Sequence, residues 1–397
     1  MGKIVMKQYD VIVCGCGVAG FCAAVAAARN GANVAVVEKY TMPGGILTVL
    51  GNNSIDQFNN PFRADNKMII QGIGWEFAKR MEKDGFAYIP DMNAKRQTHE
   101  QYGVKVNPIA AAKMMDDMLL EAKVDLFYGQ PLVSVTTQER KVTSIYISTK
   151  NGLEEVSASI YIDCTGDGDL AHLAGAKTVA GDGNGTFQPG TMRIYPAVAA
   201  EPENKILNFG DNQNHVVLDS TNNDSITWAE IQARRMLYKQ MLHGKQFMAC
   251  APAVAPREGR RIKGITTMRV EDYFTGTQYE DSVCYTFWFV DIHRKGQGAD
   301  IRYIEHDKTP SVRYLAMLSY DYENLMMAGR CISTDRETNS AIRVKASCMA
   351  MGEAVGTAAA LACKKHTLPC EVNIAELKQH LHAQGAVVPG LSDGVAF

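Results

Sequence analysis

The chain has 397 residues, of which 46% are hydrophobic and 21% charged, with a formal net charge of -2. That length is too great for one ordinary core and suits two or three domains of globular composition. The near-neutral charge excludes the basic footprint of a nucleic-acid binder and gives no pull toward an anionic membrane.

Ten cysteines occur without a regular framework. With no secretory signal, they are expected to be reduced thiols in a cytoplasmic protein. No window approaches the ~18 apolar residues of a membrane span. In chain order, residues 9–14 are a short Val/Ile-rich run, the pattern of a buried strand. A glycine turn follows at 15–20, then an Ala-rich helix over 21–29 that Gly31 is placed to end. A second buried strand covers 33–37 and ends at Glu38. Apolar spacing predicts an amphipathic helix over 66–84, and Pro108 opens another, running to about 123. Strand-like segments cover 131–137, 142–149 and 156–163, the last leading into the glycine-rich 165–169. Residues 181–224 turn to Gly, Asn, Asp and Pro and are expected to be loops and short strands of a second domain. A helix follows over 228–243, an aromatic strand over 284–290, a buried strand over 324–328 and a long small-residue helix over 344–363.

The sharpest motif is Gly15-Cys16-Gly17-Val18-Ala19-Gly20, set between a strand and a helix. Gly15 permits the tight turn, Gly17 lets the backbone approach a pyrophosphate, and Gly20 lets helix and strand pack closely. The pyrophosphate would rest on the N–H groups and positive end of the helix at Val18 and Ala19. Glu38 follows Gly20 by 18 residues, where a carboxylate meets the adenosine ribose.

Three stretches carry a resemblance. The first runs through Glu38-Lys39, Gly44-Gly45 and Thr48. The second is Tyr161-Ile-Asp-Cys-Thr165-Gly166-Asp167-Gly-Asp169. The third holds Ala328-Gly329-Arg330 and then Met351-Gly352-Glu353-Ala354-Val355-Gly356-Thr357. Together they resemble the FAD-dependent oxidoreductase family of the glutathione-reductase superfamily, related to fumarate reductase and succinate dehydrogenase flavoprotein subunits. The resemblance implies FAD as cofactor, an oxidoreductase activity, and contacts from these stretches along the cofactor. Where such flavoproteins carry an acidic residue near the ribityl chain, Arg330 stands here, and Asp335 is the alternative contact. The helix after residue 344 should aim its positive end at the flavin.

One glycine fingerprint and no redox cysteine pair argue against a pyridine-nucleotide disulfide reductase. No metal-ligand spacing and no phosphate-loop motif occur. Arg257, Arg260 and Arg261 fall within five residues. They suit a carboxylate clamp or a charge partner for the flavin, and equally a solvated strand paired with Glu258 and Asp272. On a strand Arg260 and Arg261 face opposite sides. His172, Tyr195, His293 and His306 are weaker acid–base candidates.

The expected fold class is α/β: a Rossmann-like FAD-binding domain, split in sequence over 1–60, 106–185 and 312–397. An α+β substrate or cap domain is inserted over 61–105 and 186–311. The expected reaction is hydride transfer at flavin N5 to or from a small polar molecule, anionic if the arginines bind it. The alternatives are a fumarate-reductase-like reductase of an unsaturated acid, or a flavin subunit that serves a redox partner protein. A homo-oligomer is left open.

Overall fold

The computed structural model describes residues 7–63, 65–94, 98–196, 205–208, 216–244, 247–294, 298–305 and 307–395. Strand β1 (Lys7–Cys14), helix α1 (Val18–Arg29) and strand β2 (Val34–Glu38) form one βαβ unit. Helices α2 (Ile73–Lys83) and α3 (Pro108–Glu121) follow, then β3 (Asp125–Tyr128). A meander comes next: β4 (Leu132–Gln138), β5 (Lys141–Thr149) and β6 (Gly152–Asp163), ending at the short helix α4 (Asp169–Leu173). Beyond helix α5 (Asn223–Leu242) the chain returns to the sheet through β7 (Leu325–Met327), then forms α6 (Arg336–Ile342) and α7 (Lys345–Lys365).

These strands make one seven-stranded sheet in the order β3-β2-β1-β6-β5-β4, with β7 also paired to β6. β3, β2, β1, β6 and β7 run parallel; β4 and β5 are antiparallel. Strand β6 is long enough to serve both parts. Its early residues pair with β5 and its last residues with β7. The registers Cys14↔Val37, Cys14↔Asp163 and Met327↔Asp163 bring four strand ends to one edge. The glycine stretches at 15–20, 165–169 and 329–330 therefore emerge side by side, at the carboxyl edge where open α/β sheets bind ligands.

Helices α1 and α7 are the most intimate pair in the fold. A Cβ on Gly352 would run into the Ala19 carbonyl, and one on Gly356 into that of Ala23. The equal steps of four show that the two helices run parallel and in step. Helix α7 has the length and a mean hydropathy of 1.3 that a membrane span needs, yet 89% of its most apolar window is buried inside the fold. Its small residues serve close helix packing.

Several predicted boundaries shift. The helix expected over 66–84 starts only at Ile73, because Met68 bridges Asn59 and Val395 and Gly72 has φ +69°. The strand expected over 284–290 is two strands, Ser282–Tyr285 and Val290–Ile292, with different partners. Strand β3 and helix Ile374–Ala383 lie outside the elements that the sequence pattern predicts. Met192, Ile194, Leu218, Ala229, Ala233, Leu237 and Val254 form a small core apart from the main one. The main core takes in Met68–Met81 as well as 262–318.

Candidate functional site

The turn after β1 is built by hydrogen bonds from its neighbours. Gly15 donates to the Val37 carbonyl at 2.7 Å with φ +92°, a conformation that strains any residue with a Cβ. A Cβ on Gly20 would run into the Gly15 carbonyl, so helix and turn touch backbone to backbone. Gly17 differs, since nothing lies within 4 Å of the Cβ position there. No side chain caps α1, which leaves its first-turn N–H groups to a ligand.

The second stretch is held from beneath by Asp163, which is fully buried. Its carboxylate accepts from the Thr165 N–H at 3.0 Å, the Thr165 hydroxyl at 2.7 Å and the Ala171 N–H at 3.0 Å. Burial pushes this carboxyl up to about 6, against those three donors. Arg330 Nη2 donates to Asp167 at 2.7 Å, and Ser220 does so at 2.6 Å. Arg330 Nε is buried without a partner.

A cleft enclosing about 1290 Å³, mouth included, runs along this edge. Gly15, Gly17, Val18, Ala19, Glu38, Lys39, Gly45, Thr165, Gly166, Asp167, Gly329, Arg330 and Arg257 all line it. Glu38 is nearly buried and accepts from the N–H groups of Cys16 at 2.7 Å and Tyr40 at 2.9 Å. Burial raises its pKa, and those N–H bonds oppose the rise.

Other expected residues stand behind the wall. Gly44 donates its N–H to the Cys16 carbonyl at 2.6 Å, tying its segment to the glycine turn. The Thr48 hydroxyl is buried and donates to the Pro43 carbonyl. Gly20 and Gly352 serve backbone packing, so Gly352 acts on the site through α1. Asp335 caps α6, accepting from Thr338 at 2.8 Å, and does not reach the cleft.

The three arginines part company. Arg257 lines the cleft, with Nη1 donating to the Pro189 carbonyl at 2.6 Å. Arg260 bonds Asp169 at 3.0 Å and the Asp167 carbonyl at 3.2 Å, so it braces the second stretch. Arg261, on the opposite face of its strand, is buried. Its Nε and Nη1 lack partners, and burial lowers its pKa against the nearby Glu258 charge. Among the histidines, His293 Nε2 sits 3.0 Å from Asp291 and does not line the cleft. His172 and Tyr195 do not line it either, and His306 lies outside the described residues.

Reading the residues in isolation missed Arg343, Lys345 and Cys348, which line the cleft around the start of α7. Arg343 Nη2 donates to the Asp291 carbonyl at 2.9 Å and approaches its carboxylate at 3.4 Å, while Nη1 donates to the Arg257 carbonyl. Burial resists ionisation of Asp291, but the His293 hydrogen bond and Arg343 charge outweigh it and hold the carboxyl at about 2. The signal for these residues was the helix start itself, since the first side chains of a helix aimed at a site must border that site.

A parallel sheet carrying a glycine fingerprint, with two further glycine turns at the same edge, defines a Rossmann-type dinucleotide-binding protein. The family model of FAD-dependent oxidoreductases matches residues 10–234 and 208–381, and the chain belongs to that family. It is an oxidoreductase with FAD as cofactor. The open space at Gly17, the uncapped α1 and the orphaned Arg330 Nε fit the cofactor's pyrophosphate. No curated protein matches the chain. Among solved structures, BexE, studied for oxidation in BE-7585A biosynthesis, is similar at a TM-score of 0.50 and 11% identity, with 95% of this chain and 66% of that one covered. OxyS anhydrotetracycline hydroxylase from Streptomyces rimosus gives 0.48 and 11%, with 96% and 66% covered. A flavoprotein/dehydrogenase from Cytophaga hutchinsonii gives 0.47 and 13%, with 94% and 83% covered. The chain thus spans about two thirds of the length of BexE and OxyS. At 11% identity the likeness to BexE speaks for the fold alone.

Proposed function

We propose that this chain transfers a hydride between its FAD and a small polar organic molecule, and that an anionic group of that molecule is held at the cationic end of the cleft. The observation that carries this reading is that Arg257, Arg343 and Lys345 all line the cleft, with Arg343 bonded to the Arg257 carbonyl. The adenosine would lie toward Glu38, the pyrophosphate over Gly17 and α1, and the flavin toward the start of α7. Helix α7 runs in step with α1, with Gly352 opposite Ala19. Lys345 therefore lies about 10 Å beyond the level of Ala19, at ~1.5 Å per residue. FAD supplies the hydride acceptor or donor.

The chain's own residues orient and hold charge. Arg257 and Arg343 are planar forks suited to a carboxylate, and Asp291 fixes Arg343 in place. By the three stretches quoted above, we also place the chain near the fumarate reductase and succinate dehydrogenase flavoprotein subunits. Reduction of an unsaturated acid is the narrower form of the same reading.

The test is anaerobic bleaching of the bound flavin by a panel of small acids and alcohols, with no partner protein, and reoxidation of pre-reduced protein by unsaturated acids. Arg257→Ala should stay folded and FAD-loaded while bleaching slows about tenfold or more, as a charge-assisted contact of ~1.5–3 kcal/mol is lost. If no small molecule bleaches the flavin but a redox protein does, the chain is instead a partner subunit.

A further inference from the structure

Lys345 opens α7 and is only 7% exposed, yet it lines the cleft. It makes no hydrogen bond or ion pair with any described residue. Its stem is enclosed while its amine, not among the atoms sealed from solvent, opens into the cleft unpaired, so a bound group there should answer its charge. The helix start beside it has no side-chain cap, which adds the positive end of the α7 dipole at the same place. We propose that Lys345 is a catalytic residue whose ammonium faces the flavin and holds the negative charge that the ring gains on reduction.

The balance is simple. Hydride uptake brings two electrons and one proton to the ring and leaves it one net negative charge. The ammonium answers that charge without giving up its own proton. The charged and titratable groups that act on Lys345 are Asp56, which follows the strand Ser54–Ile55; Lys105 on the strand Val104–Val106; Arg193 on the strand Thr191–Pro196; and Cys348 on α7. Burial, the largest influence, and the two cations beside it bring Lys345 down to about 8, with Asp56 opposing. The charge is therefore present at neutral pH and fades just above it.

The inference rests on the flavin lying at this end of the cleft, as the proposed function has it. The experiment uses the FAD-loaded protein with sulfite, which adds to flavin N5 and leaves the same net negative charge on the ring, and a parallel dye-equilibrium titration of the two-electron midpoint. Lys345→Met keeps the apolar stem and removes the charge. It is expected to weaken sulfite binding at least tenfold and to lower the midpoint by about 30 mV for each tenfold change. In the native protein sulfite affinity should fall through an inflection near pH 8 that Lys345→Met lacks, while Lys345→Arg should keep the affinity and move the inflection out of range.

If Lys345→Met binds FAD but leaves both sulfite affinity and midpoint as in the native protein, the proposal is overturned. Should the native flavin form no sulfite adduct, the midpoint decides alone. If Lys345→Met does not hold FAD, Lys345→Arg and Lys345→Gln decide: retention by arginine and loss by glutamine support the charge, and equal behaviour overturns it. None of these outcomes depends on finding a substrate, so failure here is distinguishable from failure of the hydride-transfer reading, which the metabolite panel judges.

Discussion

Glycines of one motif do different work, and single substitutions separate them. At Gly17 a Cβ would enter open space in the cleft, with no protein atom within 4 Å of it. Gly17→Val should therefore fold normally and lose FAD, seen as colourless protein with an unchanged melting temperature in the absence of cofactor. A folded, yellow Gly17→Val would place the pyrophosphate elsewhere. At Gly20 the same change meets the Gly15 carbonyl, so its damage should be to folding. Glu353 is another residue whose setting decides its chemistry. It is buried in α7, with Oε2 accepting from the Ile73 N–H at 2.9 Å and Oε1 unpartnered. Burial raises its pKa from 4.5 to about 8, against that hydrogen bond and the Arg29 charge. The folded state thus binds a proton the unfolded chain has released, so this group's stabilising contribution is full below pH 4.5 and lost as pH rises toward 8. Glu353→Gln should flatten that part of the stability profile, measured by urea midpoints across the range; an unchanged slope would show that the carboxyl ionises freely in the fold.

Among elements, the parallel pair α1 and α7 links packing to the site. Their approach depends on Gly352 and Gly356, each against a backbone carbonyl of α1. Gly356→Ala lies deeper along the pair than Gly352, four residues further from the cleft. It should destabilise by ~1–3 kcal/mol through overpacking, read as a lower urea midpoint, with FAD affinity falling less than stability. A Gly356→Ala protein of native stability would mean that the helices separate without cost. The strand ends behave alike: Asp163 knits Thr165 and Ala171 into one turn, so the second glycine stretch holds its shape before any cofactor arrives.

For the whole molecule, one dinucleotide fingerprint serves one nucleotide. The prediction is that NADH and NADPH reduce the bound flavin slowly and without saturation in stopped-flow mixing. Rapid, saturable reduction by either would reveal a nicotinamide site on this chain. The ten cysteines are unpaired and nine of them are wholly or partly enclosed, so thiol reagents should not bleach the flavin by opening a disulfide.

How much of this was legible beforehand depends on range. Local rules fixed β1, the glycine turn, α1 and β2 to within a few residues, because strand burial, turn geometry and helix starts are written in adjacent positions. The three glycine stretches, and FAD with them, were readable for the same reason. What the sequence could not rank was Arg257 against Arg260 and Arg261: all three are arginines in one segment, and only the fold sends one to the cleft, one to Asp169 and one into the interior. Arg343 and Lys345 gained meaning only when α7 was set beside α1, far away in the chain and in direct contact in space. The start at Ile73 likewise came from distant partners, Glu353 and Val395, that no local period records. Sequence determined the cofactor cradle, since its chemistry lies within short turns; tertiary structure alone decided the charged wall around it, because those charges come from segments that meet only when the sheet closes.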